Sequence, residues 1–193
     1  MIEKDAAEVI KKFEGFIPKA KWDVNAYRIG YGSDTITFPD GKVKRVEKSD
    51  VITRNDADRD MIRRIKYQFI PGVIRQIGKD AWDKLSHGAK IALTSLSYNY
   101  GSITKKSIIN AAKSGNEKLL ADTIIIATSN DNKSLPESVQ KALKNRRKAE
   151  SDLILMYQKK NDIITGIGNA IPSNFFFLIV LGILIFTYGK PSR

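Results

Sequence analysis

The chain has 193 residues, with 33 Lys and Arg against 21 Asp and Glu, for a net charge of +12. One His and no Cys exclude a disulfide scaffold, a thiol nucleophile, Cys-ligated zinc, iron–sulfur or haem sites, and a multi-histidine metal centre. An apolar fraction of 42% and a charged fraction of 28% argue against wholesale disorder, and the length allows one domain with a short appendage.

Ile2, Ala6, Val9, Ile10 and Phe13 recur at helical spacing and predict an amphipathic helix over residues 3–13, ended by Gly15 and Pro18. Residues 22–46 change character. Tyr27, Ile29 and Tyr31 alternate with small or polar residues, and two β-type runs flank the turn signal Pro39-Asp-Gly41, so a small antiparallel sheet is expected. Thr53-Arg-Asn-Asp56 has the form of a capping box and starts a helix to about Phe69, with Pro71 as its stop. Further helices are expected over about 88–99, stopping at Gly101, from near Ser107, from near Glu117, and from Ser134-Leu-Pro-Glu137 to about Tyr157. The expected class is α+β: an N-terminal helix, a small sheet at one end, then a mainly helical lobe.

The end of the chain is different material. The 27 residues from Ile163 to Gly189 carry no charge, and Phe175 to Tyr188 is almost purely apolar. A spanning helix needs roughly 20 such residues, which predicts a transmembrane helix over 170–189. A linker is expected over 159–169, a short basic tail over 190–193, and the soluble domain over 1–158. The N-terminus has no long apolar core and does not read as a secretory signal. Residues 164–193 hold two basic groups, Lys190 and Arg193, and no acid, leaving 31 basic and 21 acidic groups before them. The mild mean hydropathy of −0.29 therefore averages a polar, basic domain with an apolar tail.

Glu14 stands at the end of the first helix beside a glycine. A carboxylate there meets the negative end of the helix dipole, which favours the proton-bearing form a general acid needs, and Phe13, Phe16 or Trp22 would shelter it. Read alone, it is an ordinary surface Glu. Asp23 follows nine residues later. A helix-end Glu facing a strand Asp suits glycosidic cleavage, one carboxyl protonating the leaving oxygen while the other supports the sugar cation or activates water. Read alone, Asp23 is a turn residue. Gly30-Tyr31-Gly32 fits either a strand bulge or close backbone approach to a ligand, with Tyr31 stacking on a sugar. His87 reads as a helix-start or surface residue, and Arg146-Arg147-Lys148 with Glu150 as a solvated basic face.

These pieces, in this order, resemble the phage-type lysozymes, the endolysin family of glycoside hydrolases (family 24-like). Lys12-Phe-Glu-Gly15 is similar to the family's catalytic corner, and Asp23 stands at its spacing for the second carboxylate. Arg28-Ile-Gly-Tyr-Gly32 is similar to its first strand motif, and Ile52 to Ala57 to the helix start after the sheet. Ala92 to Ser102 matches its central helix, which ends in Asn99-Tyr-Gly-Ser102, and Ser107 to Asn116 the segment after that. Asn145-Arg-Arg-Lys-Ala-Glu150 is similar to its closing helix.

The resemblance implies a peptidoglycan-cleaving muramidase with Glu14 as proton donor and Asp23 as second carboxylate. Arg28, Tyr31, Thr35 and Asn99 are implied as substrate-binding or supporting residues. No metal or cofactor is implied. One departure stands out: where the family usually has Thr, this chain has Arg28. An Arg there would pair with Asp23 or Glu14, and the loss of a water-positioning hydroxyl would favour a lytic transglycosylase, unless Thr35 supplies one. A second alternative is a non-catalytic wall-binding protein. The basic domain suits an anionic wall polymer, and no reading motif points to nucleic acid. With the tail, the expected partners are bacterial peptidoglycan and a lipid membrane, and the expected location is a virion membrane or the host inner membrane.

Overall fold

The computed structural model describes residues 1–128 and 135–170, with side chains described to 126 and from 135 to 163. The predicted membrane span, apart from its first residue Ala170, and the basic tail lie outside the described residues.

Helix α1 (Ile2–Lys11) buries Ala6, Ala7 and Ile10, the face the apolar spacing predicted. Strand β1 (Ile17–Asp23) begins earlier than expected and pairs antiparallel with β2 (Ala26–Gly30), with Trp22 opposite Tyr27 and Asp23 opposite Ala26. Pro18 falls in the irregular stretch between Ile17 and Lys21, where its missing N–H costs no ladder bond. Strands β3 (Thr35–Thr37) and β4 (Val43–Arg45) form a second pair across Pro39-Asp-Gly41. The expected single sheet is therefore two hairpins, joined by an isolated bridge between Ile29 and Ser33 around a small core of Ile29, Ile36 and Val46.

Helix α2 (Arg54–Arg64) starts at the capping box: Thr53 accepts from the Asp56 amide while Asp56 accepts from the Thr53 amide. Pro71 does not end the helical run. Residues Ile65–Phe69 widen into a π turn, in which the Ile70 amide reaches Ile65, and Pro71 then falls in the first turn of α3 (Ile70–Ile77). A proline is tolerated there because the N–H it lacks has no helical partner in a first turn, and the widened turn carries the chain into it. A short α4 (Lys79–Lys84), not anticipated from the sequence, follows Gly78.

Helix α5 (His87–Tyr100) is the axle of the helical lobe. It is apolar or small nearly all round and buries nine residues, the pattern of a helix enclosed by its neighbours. Ser86 caps its start, and Gly101, at φ +76, ends it. Helices α8 (Glu137–Ala170), α1 and α3 pack directly on it, and α6 (Lys106–Lys113) and α7 (Glu117–Thr128) close the same core, which includes Leu93, Leu96, Ile108, Leu120 and Ile154. A second core joins α1 to α2 and the sheet through Ile10, Tyr31, Met61 and Phe69. Helix α8 continues as helix through residues 159–169, the stretch expected as a linker. Among the described residues, no helix is long and apolar enough to cross a membrane.

Candidate active site

Glu14 lies in the turn just past α1, three residues beyond Lys11 rather than at the helix end expected from the sequence, with its amide donating to the Ile10 carbonyl. Its side chain is 25% exposed, and its Oε1 accepts from Arg146 Nη1 at 2.7 Å. The charged neighbour is thus a cation from α8, where the sequence reading looked for apolar shelter. Phe13 still contributes, because the Arg146 guanidinium lies 5.4 Å over its ring.

Arg146 is held from behind. Its Nε meets Glu150 Oε1 at 3.4 Å, and its Nη2 donates to the Ser95 carbonyl at 3.2 Å. Glu150 is fully buried; burial pushes its carboxyl up, against the pull of Arg147, a bond from Ser95 Oγ, and Arg146. Arg147 donates to Glu150 Oε2 at 2.7 Å and to Asn99 Oδ1. The sequence reading of Arg146-Arg147 as a solvated face is overturned, since both arginines are 3% exposed. The missed signal was the spacing: Glu150 three and four residues after two arginines places all three on one helix face. Asn99, expected among the substrate-binding or supporting residues, is placed here as a partner of Arg147.

Asp23 closes β1 at an exposed two-residue turn. Val24 in that turn adopts φ +50, an uncommon conformation for a β-branched residue, and is 89% exposed. Cross-strand register puts Asp23, Ala26, Lys21 and Arg28 on one face of the hairpin and Trp22 and Tyr27 on the other. Arg28 turns to Asn25 (3.3 Å) and Asp34 (3.6 Å) rather than to Asp23 or Glu14, which corrects the expected pairing.

Two other expectations are corrected. Tyr31 is 6% exposed, packed on Phe16 at 5.8 Å, with its carbonyl accepting from Tyr98 Oη; it is core rather than a sugar platform. Burial in turn pushes the Tyr98 hydroxyl far up, so it stays a neutral donor. Gly30 serves packing as well: at φ +63, an added Cβ would lie 2.9 Å from Ala57 Cβ. Thr35 does not present a free hydroxyl. Its Oγ1 donates to Asp60 at 3.0 Å and accepts from Arg63 at 2.8 Å, within a cluster that also ties Ser33 and Thr37 to the buried Asp60. His87 is the first residue of α5, paired with Asp5 at 2.8 Å. Among the described residues, no cluster of three or more His, Asp or Glu is arranged to hold a metal.

The phage lysozyme family model matches residues 11–150, which spans Glu14, both hairpins and the Arg146–Glu150 network. The chain belongs to the phage lysozyme family. It is a lysozyme-type glycoside hydrolase acting on peptidoglycan. Solved structures show the same fold. The muramidase domain of SpmX from Asticaccaulis excentricus aligns at a TM-score of 0.60 and 20% identity, over 80% of this chain and 97% of that one. A mutant of P22 lysozyme aligns at 0.60 and 20%, over 78% and 95%. The active form of the P1 phage endolysin Lyz aligns at 0.56 and 20%, over 78% and 83%. No curated protein is a significant match. These likenesses are to the fold, a helix and hairpins followed by a helical lobe.

Proposed function

We propose that this lysozyme is a muramidase cleaving the β-1,4 bond between N-acetylmuramic acid and N-acetylglucosamine, with Glu14 as the acid and Asp23 as the second carboxylate. The observation that carries the reading is the Arg146–Glu14 pair. A buried, doubly anchored guanidinium fixes one oxygen of a partly exposed carboxyl, leaving the side chain accessible to substrate. Glu14 delivers a proton to the glycosidic oxygen as the bond to the anomeric carbon breaks. Asp23, on the exposed hairpin turn, balances the positive charge that develops on the sugar. Water then completes hydrolysis, and its proton returns to the Glu14 carboxylate.

A second reading has its own observation. Arg28 stands where the family usually has Thr, and the hydroxyl of Thr35 is engaged by Asp60 and Arg63. Without a hydroxyl to place water, the 6-hydroxyl of the muramic acid attacks the anomeric carbon and gives its proton to the Glu14 carboxylate, and the product is an anhydro sugar lighter by one water. Digestion of purified sacculi followed by product mass spectrometry separates the two: reducing ends mark hydrolysis and anhydro ends mark transglycosylation.

The uncharged run over 170–189 supports a tether to a virion or host inner membrane, which would confine wall opening to the adjacent layer. A chain ending at residue 169 should partition away from membranes while keeping its lytic activity. If it co-sediments with vesicles as the full chain does, the tether is wrong.

A further inference from the structure

The second face of the β1–β2 hairpin has no part in the chemistry above, yet it displays the most exposed aromatic ring of any tryptophan here. Trp22 is 57% exposed, against 6% for Trp82, the chain's other tryptophan. It faces Tyr27 directly across the strand pair, rings 5.2 Å apart and 77° between planes. Tyr27 is partly buried against the small sheet core, so the edge-on contact braces the indole. Exposing an indole gives up the apolar burial that the fold uses elsewhere, and the hairpin turn beside it also exposes Val24 in an unfavourable backbone conformation.

We propose that Trp22 and Tyr27 form a non-catalytic glycan-binding platform that stacks on a pyranose ring of a neighbouring peptidoglycan strand. The proposal rests on peptidoglycan as the substrate and not on the roles of Glu14 and Asp23. Three features favour a sugar. A braced indole offers a flat apolar surface of the size of a pyranose face. Register places the platform opposite the Asp23 face, so a strand held there leaves the catalytic face open. The wall presents many parallel strands, so a second contact raises retention through effective concentration. A lipid surface is disfavoured by the turn itself: Asp23 and Asn25 alternate with Trp22 and Val24, so burying the apolar pair in a bilayer would carry a carboxylate towards it.

The test uses the full chain carrying Glu14→Gln, so that binding is read without cleavage. Titration with the N-acetylglucosamine tetramer is expected to quench and blue-shift tryptophan emission, a signal from Trp22 because Trp82 is buried. Adding Trp22→Ala should weaken retention on purified sacculi about tenfold, the scale of losing one buried apolar ring face, while Trp22→Phe restores most of the retention. Circular dichroism confirms that the variants fold. An unchanged sacculus affinity in Trp22→Ala overturns the proposal. So does an emission shift that phosphatidylglycerol vesicles cause and the tetramer does not. Cleavage of sacculi by the wild-type chain is scored separately, so a failure of the muramidase reading leaves this result interpretable.

Discussion

Arg146 reaches Glu14 at 2.7 Å while the same guanidinium touches Glu150, fully buried one turn further along the helix. Helix α8 thereby holds the candidate acid, which lies just past the end of α1. Three buried charges, Arg146, Arg147 and Glu150, share one enclosed site with the Ser95 hydroxyl, where breaking one partner leaves the others uncompensated. Glu150→Gln is expected to cost about 3–5 kcal/mol of stability, as single-partner losses from buried ion pairs do. Arg146→Lys should unfold less but act worse, because an ammonium cannot span Glu14, Glu150 and the Ser95 carbonyl at once. Chemical denaturation and a turbidity assay on the same preparations check both.

Arg28 bears on product chemistry more than on folding. Its contacts to Asn25 and Asp34 are partly exposed, so Arg28→Thr should change stability by under about 1 kcal/mol. If a hydroxyl at this strand position directs water, the substitution raises the share of reducing over anhydro ends. Mass spectrometry of the digest reads the ratio directly, and an unchanged ratio removes Arg28 from any role in selecting the nucleophile.

The capping box gives a pH-dependent prediction. Bonds from Thr53 and Arg59 hold the Asp56 carboxyl below the usual carboxylate range. A lowered folded-state value means the stabilisation is complete above the unfolded carboxylate value of about 4 and is lost as pH falls through the folded one. Asp56→Asn should therefore reduce stability near neutrality and converge with wild type in acid. Thr53→Ala should cost about 1 kcal/mol at neutral pH. Thermal melts at a series of pH values test both.

Gly88 lies where the start of α5 runs close against α8. A Cβ there would lie 2.6 Å from the Leu153 carbonyl and 2.8 Å from the Tyr157 ring. Gly88→Ala is expected to cost about 1–3 kcal/mol through overpacking, seen as a lowered Tm. Because α8 carries Arg146, activity should fall with it.

What the sequence made legible was local. The α1 stripe, the Thr53–Asp56 box and the stop at Gly101 are all written in neighbouring residues, and the fold forms each of them, with α1 ending two residues short of the expected bound. What it hid depends on distant partners. Nothing near Arg146 says that Ser95, 51 residues earlier, and Glu14, 132 residues earlier, complete its bonds. Tyr31 looked like a ligand platform because Phe16 and Tyr98 cover it only once the lobes pack. Pro71 looked like a stop because a π turn, which lets the helical run carry on, has no sequence signal of its own. Trp22 entered the sequence reading as shelter for Glu14, and pairing with Tyr27 puts it on the other face from Asp23.

The central claim is that Glu14 is the acid of a muramidase. The most direct measurement is digestion of purified sacculi by the wild-type chain and by Glu14→Gln, with products identified by mass spectrometry and folding verified by matched circular dichroism. The account predicts muropeptides cut between N-acetylmuramic acid and N-acetylglucosamine from the wild type, and a loss of at least about a hundredfold in Glu14→Gln, the scale of a general acid's contribution. Equal rates from the two folded proteins would contradict it.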